Sequence, residues 1–238
     1  MQEPHDLTAL QARLGVSFVN SNILLQALTH RSYLNENPDF ELDHNERLEF
    51  LGDAVLELIV TDHLYRTYKL PEGEMTNLRS AVVRGEMLSS VAREMGLEEY
   101  LLMSRGESKD TGKARNYILA NAVEAVIGAI YEDQGYDATK TVVDTFITSK
   151  LPEVVEKGLH IDTKSKFQEL AQDHYRITPV YKVMRESGLD HAKEFIVGVY
   201  LHDKNMGEGR GSSKQEAQQH AAAIALAELM RTIESKTI

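Results

Sequence analysis

Asn45-Glu46-Arg47-Leu48-Glu49-Phe50-Leu51-Gly52-Asp53 is the stretch on which the reading of this chain turns. Apolar residues recur through it and beyond it at three- and four-residue steps: Leu48, Leu51, Val55, Leu58 and Ile59. That period is helical. Glu46, Glu49 and Asp53 stand at i, i+3 and i+7, so a helix puts all three on one face. Leu48, Phe50 and Leu51 then point elsewhere, toward the core or a partner. Three acids on a helix are most often a solvated face, but two details weigh against that here. Like charges at these spacings cost a few tenths of a kcal/mol each. Gly52 inside a helix costs about 1 kcal/mol more, which makes sense where another backbone must approach closely.

A second segment supplies a counterpart. Ile118, Ala122, Val126, Ala129 and Ile130 repeat at helical steps, and Asn121 and Glu124 lie three apart among them. A carboxylate in so apolar a run is at least partly buried, and a buried carboxylate needs a cation, a donor or a metal. Two facing helices, one giving Glu49 and Asp53 and the other Asn121 and Glu124, form an all-oxygen site. That chemistry suits Mg2+ or Mn2+. Such a site can activate water and stabilise charge that builds up on a phosphate.

Around these segments, residues 8–150 read as helical almost throughout, with breakers at Asn37-Pro38, Leu70-Pro71, Gly96, Gly106, Gly112 and Gly135. No strand pattern is visible there. After Leu151-Pro152 the pattern changes. Residues 163–175 form a short helix candidate with Phe167, Leu170 and Ala171 on one face. Residues 180–186 are β-rich, and Phe195, Val197, Val199 and Leu201 alternate at period two. Turns are expected at 187–190 and 203–207, and an Ala-rich helix from about 213 to 233. The expected architecture is an all-α domain over residues 7–135, extending to about 156, a linker at 157–161 weakest at Gly158, and an α-β-β-β-α domain over 162–232.

Composition narrows the chemistry. The 238 residues are 42% hydrophobic and 26% charged, with no cysteine, which excludes thiol catalysis and Cys-ligated metals. No apolar run approaches the ~20 residues of a membrane span, and the first ten residues carry no basic residue, so no signal peptide is expected. A cytoplasmic protein is expected. No P-loop or dinucleotide fingerprint is present, so no nucleotide cofactor is expected. Residues 1–159 carry 15 Lys and Arg against 26 Asp and Glu, whereas the remainder carries 11 of each. Such acidity opposes non-specific nucleic-acid binding but not an enzyme that recruits cations.

Asn45–Asp53 resembles the signature of bacterial ribonuclease III. Ala27–Tyr33 (ALTHRSY), Glu72-Gly73-Glu74-Met75 and Ile118–Tyr131 resemble that family too, in the same order. The C-terminal unit is similar to a double-stranded RNA-binding domain, by Gln168-Glu169, the turn before Phe195 and Gly207–Lys214. The resemblance implies a homodimeric, Mg2+-dependent endoribonuclease that cuts double-stranded RNA and leaves 5′-phosphate and 3′-hydroxyl ends. Ribosomal precursors and structured messenger RNAs are the implied substrates.

Carried over residue by residue, the resemblance implies that Glu49, Asp53, Asn121 and Glu124 hold the metal. Asp53 and Glu124 match the catalytic positions, and Glu46 and Glu72 match supporting acids. Phe50 matches an aromatic residue that plugs into the partner subunit, although a core residue is equally consistent with the pattern. Lys164, Gln168, Glu169, His191, Ser212, Ser213 and Lys214 match RNA-facing positions. Two residues depart from the family. Asn121 stands where Asp is usual, which lowers the set from four negative charges to three, and Gln215 stands where a second lysine is usual. The alternative is therefore a protein that binds double-stranded RNA with a metal site weakened or inactivated at Asn121.

Overall fold

The computed structural model describes residues 6–160, 162–188 and 193–234. The chain divides into two compact units, residues 1–160 and 161–238. The first is helical: α1 (Thr8–Leu14), α2 (Ser21–Ala27), α3 (Arg31–Glu36), α4 (Glu46–Thr67), α5 (Glu72–Val83), α6 (Gly85–Glu94), α7 (Lys113–Gln134), α8 (Tyr136–Phe146) and α9 (Leu151–Glu156). Helix α7 is the axis. Its residues from Ile118 to Ile130 are buried on nearly every side, apart from Asn121 and Glu124, which are half-buried. Helix α4 buries only one face, with Val55, Leu56, Ile59, Val60 and Leu64. Each such side chain contributes roughly 1.5–3 kcal/mol when fully removed from water.

The two long helices touch backbone to backbone. A methyl group at Gly52 would sit 1.7 Å from the Glu124 carbonyl oxygen, and one at Gly128 would sit 2.2 Å from that of Leu48. The close approach inferred for Gly52 is therefore present, and Gly128 is its counterpart. The start of α4 is tied down by Asn45, which is 2% exposed. Its amide N–H donates to the Thr29 carbonyl at 2.9 Å and its side-chain NH2 to that of Ala27 at 3.2 Å. One feature of this unit departs from the all-helical pattern: Thr29 and Leu102 form an isolated parallel bridge.

The second unit has the order α10 (Thr163–Tyr175), β1 (Val180–Ser187), β2 (Glu194–Leu201), β3 (Lys204–Gly211) and α11 (Lys214–Glu234). The sheet is antiparallel in the order β1-β2-β3. Val199 and Leu201 pack with Phe167 and Ala171 of α10 and with Ala221, Ala225 and Leu229 of α11. The turn expected at 203–207 is shorter than the sequence indicates, because Lys204–Gly207 belong to β3 and the reversal falls at His202-Asp203. Residues 204–207 have weak strand propensity, and pairing with β2 overrides it. The glycines of β3 let α11 lie on the strand backbone: a methyl at Gly209 would meet the Ala217 carbonyl oxygen at 2.2 Å. Among the described residues, no helix is long and apolar enough to cross a membrane.

Candidate functional site

The Gly52–Gly128 crossing sets the geometry of the acidic site. It lays the first two turns of α4 against the middle of α7, so Glu49 and Asp53 come beside Asn121 and Glu124. Glu124 shows the effect most strongly. Burial, then the charges of Asp53 and Glu49, push its carboxyl up to about 7. Glu49 is raised by burial, by Glu46 and by Asp53, while a hydrogen bond from the Asn121 side chain opposes the rise. Asp53 itself is exposed. Three carboxylates and one amide thus share a patch in which full ionisation is unfavourable without added positive charge.

That donor set fits a hard divalent cation, since every available ligand atom is oxygen. The side chains are not closed around a point: among the described residues, no three His, Asp or Glu side chains enclose a metal-sized position. Glu46 turns toward basic neighbours, with Arg31 at 3.5 Å and His44 at 3.9 Å. Glu72 is exposed at the first turn of α5, beside a hollow of about 270 Å³ lined by Leu64, Tyr65 and Arg79. It is not among the charges acting on Glu49 or Glu124. Phe50 is not a core residue. It is 82% exposed, at the edge of an open hollow of about 650 Å³ lined also by Ile23, Gln26, Leu51 and Glu132.

In the second unit, Gln168 and Glu169 are exposed on α10, where Glu169 pairs with Lys166 at 3.1 Å. Lys164 donates to the Gln218 side-chain oxygen at 2.8 Å and lies over the Tyr181 ring. Lys214 lies over the Phe195 ring. The Ser212-Ser213 pair is already engaged. The Glu216 amide donates to the Ser213 hydroxyl at 3.1 Å, and the Glu216 carboxylate accepts from the Ser212 amide and hydroxyl at 2.8 and 2.6 Å. These bonds hold the Glu216 carboxyl below its usual range. His191 lies outside the described residues. Sequence reasoning missed Asn45, Gly128, Glu216, Tyr181 and Gln218. Of these, only Glu216 leaves a local signal, the Ser-x-x-Glu spacing of a capping box.

Known proteins match both units. Residues 20–151 match the family model described as ribonuclease-III-like, and residues 163–229 match that of the double-stranded RNA binding motif. Ribonuclease 3 of Natranaerobius thermophilus is 42% identical over 97% of this chain and 99% of its own length. Ribonuclease 3 of Dehalococcoides mccartyi is 45% identical over 93% of this chain and 94% of its own. Among solved structures, the nuclease domain of ribonuclease III from Campylobacter jejuni aligns with TM-score 0.56 and 36% identity, covering 62% of this chain and 99% of that domain. That structure is described as flexible in a region involved in dimer formation. A family model spanning more than half the chain, relatives aligned almost end to end and a shared nuclease fold lead to one conclusion: the chain belongs to the ribonuclease III family of endoribonucleases, with a helical nuclease domain followed by a double-stranded RNA-binding domain.

Proposed function

We propose that this chain hydrolyses phosphodiester bonds of double-stranded RNA in a metal-dependent reaction, leaving 5′-phosphate and 3′-hydroxyl ends. The observation that carries the reading is the backbone crossing at Gly52 and Gly128, which gathers Glu49, Asp53, Asn121 and Glu124 into one strained acidic patch. These four residues would hold the cation, Mg2+ by preference and Mn2+ as a substitute. A cation bound there supplies charge neutralisation at the scissile phosphate and acidifies water for attack. Glu124, pushed up to about 7, is partly protonated at neutral pH while the patch is uncompensated, and added positive charge would favour its ionised form. Asp53, the exposed carboxylate of the set, would be the one open to substrate. Glu46 and Glu72 are supporting acids outside the metal set.

Lys164, Gln168, Glu169, His191, Ser212, Ser213 and Lys214 are the RNA-facing residues of the second unit in this reading. The protein works as a homodimer, with Phe50 of each copy seated in the hollow beside Phe50 of the other. The exposed apolar stripe of α4, Phe50, Leu58 and Tyr65, supports that arrangement. The chain acts in the cytoplasm on ribosomal precursors and structured messenger RNAs.

A second reading has its own observation. The Asn121 side chain donates its hydrogen bond to Glu49, so it holds a ligand in place and adds no charge. A binder of double-stranded RNA with a disabled metal site follows if that loss is decisive. Cleavage of a long, fully paired RNA in Mg2+ separates the two, run beside Asp53→Ala and Asn121→Asp. Cutting by the unaltered chain but not by Asp53→Ala supports the nuclease. Cutting only by Asn121→Asp identifies the binder.

A further inference from the structure

Among the described residues of the second unit, three lysines lie over aromatic rings: Lys164 over Tyr181 at 4.8 Å, Lys182 over Tyr200 at 5.0 Å and Lys214 over Phe195 at 5.6 Å. Lys164 is seated more completely than the other two. Its ammonium also donates to the Gln218 side-chain oxygen at 2.8 Å. Three elements therefore converge on one nitrogen: α10 carries the lysine, β1 the ring and α11 the amide. Tyr181 itself is anchored, because it packs against both apolar clusters of this unit.

The ring and the amide that hold the ammonium carry no charge themselves, and the nearest acid, Asp162, whose charge reaches the Tyr181 ring, directs its hydrogen bonds to the start of α10. The Asp162 carboxylate accepts from the Lys164 amide at 3.1 Å and from the Ser165 amide and hydroxyl at 3.3 and 2.7 Å. Among the described residues, no carboxylate pairs with the Lys164 ammonium, whereas Lys166 on the same helix is neutralised by Glu169. A ring face and one amide oxygen leave an ammonium with its full charge and with donors to spare. A cation held in place before binding also loses less side-chain freedom when a phosphate arrives.

We propose that Tyr181 and Gln218 are positioning residues for double-stranded RNA recognition, and that they hold Lys164 as a preset cation at the start of α10. The inference rests on the reading of Lys164 as an RNA contact. Neither residue touches RNA in this scheme. Lys214 shares the arrangement, since its ring partner Phe195 packs in the same small cluster as Tyr181. Two phosphate-seeking cations from the starts of two helices therefore rest on one apolar platform.

The test is a double-mutant cycle on the full chain, binding a perfectly paired RNA duplex in chelator so that nothing is cut. Affinity is measured across a salt series. Lys164→Met is expected to weaken binding and flatten the salt slope by about one. Tyr181→Leu is expected to weaken binding about two- to fivefold with the slope unchanged, because the charge remains. In the Lys164→Met background, Tyr181→Leu is expected to cost nothing further. Tyr181→Phe keeps the ring and removes a buried hydroxyl that has no hydrogen-bond partner among the described residues, so it should bind as the parent does. Gln218→Met repeats the logic without touching the core, should Tyr181→Leu fail to fold. Equal losses from Tyr181→Leu or Gln218→Met with and without Lys164 would overturn the positioning role. A Lys164→Met variant with unchanged affinity and slope would instead remove the RNA contact on which the proposal rests.

Discussion

At the residue scale, the acidic patch turns on Asn121 and Glu124. Asn121 stabilises the Glu49 carboxylate by donating to it. Asn121→Asp replaces that donor with a fourth charge, which raises the cost of the empty patch and the reward for filling it. Mg2+ affinity is expected to tighten on the order of tenfold. Thermal shift against Mg2+ concentration reads this directly, and an unchanged midpoint would place Asn121 outside the ligand set. Glu124 gives a pH prediction. Its carboxyl is raised from an ordinary value of 4.5 to about 7 in the folded chain. Between those values the folded state binds more protons than the unfolded one, so stability falls as pH rises through that window. Without metal, Glu124→Gln should therefore melt higher than the parent at pH 8, with the gap closing toward pH 4.5. Saturating Mg2+ should shrink the gap at pH 8. A gap independent of pH would mean that Glu124 ionises freely in the fold.

At the element scale, the crossing of α4 and α7 is what makes those residues neighbours. Gly52→Ala drives a methyl into the Glu124 carbonyl. It should destabilise the chain by about 1–3 kcal/mol through overpacking, despite the gain in helix propensity. Gly73, also inside a helix, has nothing within 4 Å of its would-be methyl. Gly73→Ala should stabilise by up to about 1 kcal/mol. Urea midpoints of the two variants moving in opposite directions would confirm that contact, not propensity, decides at Gly52. The sequence shows part of this crossing and hides the rest. A glycine that breaks a helical pattern announces a close approach, and the i, i+3, i+7 spacing announces a shared face. Gly128 sits in a run of small apolar residues and announces nothing. Asn45 reads as a polar residue before a helix, yet it is buried because its side chain completes the Ala27 carbonyl. The start of β3 was illegible for the same reason: Lys204 to Gly207 form a strand only because β2 and α11 are already there.

At the scale of the whole molecule, the acid excess in residues 1–159 and the even balance beyond them divide the work. The second unit carries no surplus charge, so its affinity for RNA must come from a few placed cations. In the proposed reaction the first unit draws positive charge to its patch before a phosphate approaches. In the proposed dimer two copies of so acidic a unit repel each other, and an apolar contact has to outweigh that repulsion. Phe50 is the best-placed candidate, 82% exposed at the edge of a hollow on the same surface. Under two-fold symmetry a knob beside its own socket pairs twice. Each buried phenylalanine contributes about 1.5–3 kcal/mol, so Phe50→Ala should weaken the dimer by roughly two to four orders of magnitude. Light scattering across a dilution series reads the change in mass, and higher salt should tighten both proteins by screening the acid excess. At concentrations low enough to leave both proteins monomeric the variant should melt as the parent does, because Phe50 lies outside the apolar core of its own chain. A dimer that survives Phe50→Ala unchanged would move the interface to another part of the surface, and the exposed α4 residues Leu58 and Tyr65 would be the next to alter.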